Sequence, residues 1–98
     1  MVAERTREYE LVMILSPEAT EEEIAATVER VDGLITGSGG GVAGHDTWGM
    51  KRLAFPLANH REGNYILTRF TLGSGAVLEL SRNLNASEDI LRFLVTRT

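Results

Sequence analysis

The stretch WGMKRLAFPL, residues 48–57, sets Lys51 and Arg52 beside Trp48, Phe55 and Pro56. Adjacent cations beside so much apolar surface can neutralise phosphate or carboxylate. The remaining candidates for chemistry are weaker. Gly39, Gly41 and Gly44 satisfy G-x-G-x-x-G as a string. A nucleotide fingerprint needs that string after a strand and opening a helix, and here it follows a helical pattern and opens a strand. His45 and Asp46 could begin a metal site, but no further ligands stand at a suitable spacing. No serine occupies a G-x-S-x-G elbow, and there are no cysteines. The chemistry on offer is therefore binding, with no catalytic residue, cofactor site or metal site, and the chain is expected not to be an enzyme.

The charge balance looks wrong for a phosphate binder. The net charge is −4, yet it is unevenly spread. Residues 1–45 carry nine acids against three arginines, and residues 46–98 five acids against seven bases. Nine of the ten cations are arginine, the type suited to bidentate phosphate contacts. Taken one at a time, such cations are equally well explained as solvated surface charge. At 98 residues, 43% hydrophobic and 24% charged, the chain is expected to form one domain, residues 1–98. No apolar run approaches the roughly 20 residues that span a membrane, and MVAERTREYE has no signal-peptide pattern. A cytoplasmic location is expected.

The elements that must position these cations follow from periodicity. EYELVMIL, residues 8–15, puts Tyr9, Leu11, Met13 and Leu15 on one face and Val12 and Ile14 on the other, as in a central strand. Thr20 and Glu23 form a capping box, and Glu21 and Glu22 suit the positive end of a helix dipole. Ile24, Val28, Val31 and Ile35 then make an apolar stripe, and the helix should stop near Gly37. Residues 42–57 read as a long strand with a kink or bulge at Gly49, confined to a sheet edge by Pro56. NHREG, residues 59–63, reads as a hairpin loop, and residues 64–72 as the third strand. Residues 74–85 read as a helix capped by Ser74 with Val77, Leu80 and Leu84 inward, and residues 89–97 as the last strand. The order β-α-β-β-α-β, with right-handed crossovers, predicts an α+β ferredoxin-like fold. Two helices should cover one face of a four-stranded antiparallel sheet and leave the other free. An RNA-recognition motif on the third strand fails, because Glu62, Asn64 and Tyr65 stand where its signature needs a cation, an aromatic and a small residue. Tyr65 and Phe70, on opposite faces, read as sheet packing.

WGMKRLAFPL resembles the most characteristic segment of the bacterial small-subunit ribosomal protein six family, through Trp48, Gly49, Lys51, Arg52, Leu53, Ala54 and Pro56. Phe55 and Leu57 stand where that family usually has tyrosine and isoleucine. Arg7, Tyr9, Glu10, Pro17, Gly63, Asn64, Tyr65, Arg92 and Arg97 extend the resemblance over nearly the whole chain. It implies a structural role in the small ribosomal subunit: binding the central domain of its RNA as a heterodimer with ribosomal protein eighteen. A basic partner sharing the contact would remove the charge paradox. On that basis Arg7, Lys51, Arg52, Arg92 and Arg97 are candidate RNA contacts, with Arg5 and Arg61 behind them. Trp48 and Leu57, on an exposed edge, are candidate partner contacts. On a regular strand Lys51 and Arg52 point to opposite faces, and a bulge at Gly49 would re-aim both. Trp48 could equally fold under the glycine-rich connector as core. Two other readings are a stand-alone binder of single-stranded RNA and a ferredoxin-like module that binds a small ligand.

Overall fold

The computed structural model describes residues 6–57 and 60–98, with the backbone alone for residues 54–57 and 60. The first strand, β1, runs Thr6–Leu15. Its alternation is realised: Tyr9, Leu11, Met13 and Leu15 are all buried. Helix α1 spans Glu21–Gly37. The Thr20 hydroxyl accepts from the Glu23 amide at 3.2 Å, and the Glu23 carboxylate accepts from the Thr20 amide at 3.0 Å. That closes the expected capping box, and the Thr20 backbone donor holds the Glu23 carboxyl below its ordinary pKa. The helix ends at Gly37, as expected, but the glycine that closes it is Gly39, two residues further on. Gly39 takes φ +88°, the amide of Gly40 reaches the Ile35 carbonyl at 2.9 Å, and that of Gly39 reaches Thr36 at 3.1 Å. This paired closure satisfies the last carbonyls and needs a left-handed residue, hence glycine.

Strand β2 covers Gly41–Leu57 and β3 covers His60–Gly73. His60 to Gly63, expected in a hairpin loop over 59–63, already belong to β3, and Asn59 lies outside the described residues. A 3-10 turn over Ser74–Ala76 leads into α2, Val77–Asn85. The expected cap by Ser74 is not made: Ala76 precedes α2, and neither start has a side-chain cap. The 3-10 turn takes over the role of entry to the helix. Strand β4 runs Ile90–Arg97.

The sheet order is β2-β3-β1-β4, with β1 antiparallel to both β3 and β4, and β2 antiparallel to β3. This is the predicted ferredoxin-like arrangement, with β1 central and β2 at an edge. Val31 and Ile35 of α1 and Leu80 and Leu84 of α2 pack into one core with Tyr9, Leu11, Met13, Leu15, Ile66, Phe70 and Leu72. Tyr9 and Phe70 face each other across the ladder with ring centroids 5.5 Å apart. Both helices thus share one face of the sheet. β1 runs out opposite Asn64, so β2 and β3 continue beyond it as a two-stranded arm that carries Lys51 and Arg52.

Candidate RNA and partner interface

Cross-strand partners share a face, so the register tells which way each side chain points. Thr47 stands opposite Ile66, which is buried toward the helices. Gly49 stands opposite Tyr65, on the other face. Two residues apart on β2 have thus exchanged faces, and Trp48 is the extra residue between them. Gly49 sits at φ +80°, the left-handed conformation that such a bulge requires. An unbulged strand would put Lys51 on the side of Thr47. The bulge turns it to the helix-free face, opposite Gly63.

Trp48 stacks on Tyr65 with ring centroids 6.3 Å apart and planes within 16°. The Lys51 ammonium lies 5.3 Å from the centre of the Trp48 ring. Trp48 is 43% exposed, so it is not core beneath the glycine-rich connector. Across the sheet, Tyr65 pairs with Ile14 and Ile14 with Arg92. Arg92 therefore shares the open face with Lys51, roughly 14 Å away at three strand spacings. Leu94, 59% exposed, lies beside Val12 on the same face. The result is an aromatic and aliphatic strip with a cation at either side.

The other candidate cations lie elsewhere. Arg52 stands opposite Glu62 on the reverse face of the arm, and Arg61 is exposed on that arm. Arg97 is opposite Tyr9, and Arg7 is its diagonal neighbour, opposite Leu72. Arg7 is seven residues from Ile14, roughly 24 Å along the strand. The five candidates form two pairs and a singleton rather than one patch. The Leu57 side chain and Arg5 lie outside the described residues.

His45 is a satisfied histidine. Its Nε2 is 2.9 Å from Asp32 Oδ2 on α1, and its Nδ1 is 3.0 Å from the hydroxyl of Thr68 on β3. With Nε2–H donating to the carboxylate, Nδ1 accepts the proton of the Thr68 hydroxyl. No group of three potential metal ligands occurs among the described residues. A cleft of about 570 Å³ near the start of α1 is lined by Glu18, Glu23, Glu88 and Asp89, with Arg30 bridged to Asp89 at 3.4 Å. Its acidic lining repels phosphate, and it lies away from Trp48. Sequence reasoning passed over two members of the open face. Tyr65 was read as packing, and the signal that could have found it is the extra residue before Gly49. Leu94 belongs to a strand apolar on both faces at a sheet edge, which itself signals a surface to be covered.

The family model for ribosomal protein S6 matches residues 8–97. The small ribosomal subunit protein bS6 of Moorella thermoacetica is 41% identical over 91 residues, which is 93% of this chain and 93% of that protein. Its counterpart from Caldanaerobacter subterraneus subsp. tengcongensis is 37% identical over 92 residues, 94% of this chain and 97% of that one. The crystal structure of 30S ribosomal protein S6 from Thermotoga maritima superimposes with a TM-score of 0.88 at 27% identity, covering 96% of this chain and 89% of that one. Since the match takes in all four strands and the bulged edge, the chain belongs to the ribosomal protein S6 family and is a non-enzymatic component of the small subunit of the cytoplasmic ribosome.

Proposed function

We propose that this chain binds the central domain of small-subunit ribosomal RNA together with ribosomal protein eighteen, through its open sheet face and the β2–β3 arm. The observation that carries this reading is the bulge at Trp48 and Gly49, which gathers Trp48, Tyr65 and Lys51 on the face that also carries Arg92 and Leu94. Apolar surface of that kind, rimmed by cations, suits a protein partner at its centre and phosphates at its margin. A chain of net charge −4 needs such a partner, because its own cations are too scattered to hold RNA alone. In this reading Lys51 and Arg92 act as one phosphate-contacting pair, Arg7 and Arg97 as a second at the far end of the sheet, and Arg52 singly from the reverse face of the arm. Trp48 is the partner's anchor.

The test is binding to a central-domain RNA fragment, with and without ribosomal protein eighteen, at two salt concentrations. Weak binding alone and tight, salt-sensitive binding as a pair are expected. Absence of binding under both conditions overturns the proposal. The exposed Trp48–Tyr65 stack also favours a second reading, in which unpaired bases stack on the open face without any partner protein. Tight binding by the chain alone would select that reading.

A further inference from the structure

The register of β2 breaks between Val42 and Gly44 and again between Thr47 and Gly49. The piece between the two breaks is Gly44–Thr47, and none of its side chains is buried. A strand with no buried face has little to choose its register, and a slip of one residue turns every side chain over. His45 supplies the missing choice. It stands opposite Thr68, whose side chain is fully buried, and it also reaches Asp32 on α1. One step in either direction would bring Gly44 or Asp46 opposite Thr68. Gly44 offers no hydrogen bond and would leave the buried hydroxyl without a partner. Asp46 would set a second carboxylate against Asp32, whose Oδ1 is already buried with no hydrogen-bond partner.

We propose that His45 is a positioning residue: by bonding Asp32 and Thr68 together it fixes the register of β2, so that the bulge falls at Trp48 and Gly49 and Lys51 emerges on the helix-free face. Any consequence for RNA or partner binding rests on the function proposed above. The register itself does not, and it can be read without RNA.

The experiment uses NMR on the full chain, with His45→Ala, His45→Gln and Thr68→Val variants. Cross-strand contacts of Thr47 with Ile66 and of Gly49 with Tyr65 report the register. Amide exchange in residues 44–49, measured against β1, reports its strength. His45→Ala should lose both contacts, and its protection in β2 should fall by about tenfold or more while β1 is unaffected. His45→Gln, whose amide can donate to Asp32 and accept from Thr68, should restore both. Thr68→Val, which keeps the side-chain shape, should weaken the same amides and decides the matter if His45→Ala does not fold. Retention of both contacts and full protection in His45→Ala, or in Thr68→Val where that variant decides, overturns the proposal, as does a His45→Gln variant as impaired as His45→Ala. A shifted register with unchanged RNA affinity would uphold the positioning role and count against the function proposed for the face.

Discussion

In β1, Tyr9, Leu11, Met13 and Leu15 are buried on one face and Ile14 on the other, whereas no side chain described in β2 from Gly41 to Leu53 is buried. Both strands belong to one sheet. The first is held in register by the hydrophobic effect, since a slip would expose four core residues at once. The second is held by backbone singularities and polar contacts: a glycine at positive φ, three breaks in register, and the bonds of His45. A strand of the first kind specifies the fold. A strand of the second kind can be re-aimed by small changes, and here it carries the aromatic and cationic residues of the proposed interface.

The largest effect should come from the buried strand. Leu11→Ala empties a position with no exposed surface and should cost about 2–5 kcal/mol of global stability. Urea unfolding measures it, and a loss below about 1 kcal/mol would mean that the core around β1 collapses freely into the gap. Gly49→Val tests the edge strand in the same units. A β-branched side chain at φ +80° should cost about 1–3 kcal/mol, less than the core cavity, and it should also disturb the Trp48–Tyr65 stack. Near-UV circular dichroism of the indole reads the second effect. A neutral Gly49→Val with an unchanged spectrum would show that the bulge does not depend on its glycine.

The same contrast explains what could be read in advance. Alternation in residues 8–15, the Thr20–Glu23 capping box and the Ile24–Ile35 stripe each follow from a repeating geometry, and all three are present. Pro56 correctly indicated an edge for β2. The entry to α2 was misread because Ser74 is a good cap by type, whereas the chain arrives through a 3-10 turn that needs none. The site was less legible because face assignment by counting in twos fails at each bulge. Gly49 marked one break correctly. The earlier one, between Val42 and Gly44, has no single residue that announces it. The pairing of Trp48 with Tyr65, seventeen positions away, depends on both, and so do the faces taken by Lys51 and Arg52.

Trp48→Ala should have a smaller effect on stability, because the ring is 43% exposed. Loss of the aromatic pair is worth about 0.5–1.5 kcal/mol. Its effect on the heterodimer should be larger than on the fold, at about 2 kcal/mol or more if Trp48 is a central anchor. Calorimetric titration with ribosomal protein eighteen measures this. Near-normal affinity in a folded variant removes Trp48 from the interface.

The smallest change in stability belongs to Lys51→Met, and it separates the two strands most sharply. The substitution keeps an unbranched apolar stem and removes only the charge. Its cation–π contact with Trp48, on an exposed surface, is worth about 0.5–1 kcal/mol at most. RNA binding should respond differently. One phosphate contact fewer lowers the slope of log affinity against log salt by about 0.7–0.9. Arg92→Met should subtract a similar amount, and the double variant should lose the sum, because the two cations stand roughly three strand spacings apart and share no partner. Arg52→Met, on the reverse face opposite Glu62, offers the internal comparison. If it lowers the slope as much as Lys51→Met does, RNA must wrap both faces of the arm. If it leaves the slope alone, the face selected by the bulge at Gly49 is the one that meets phosphate.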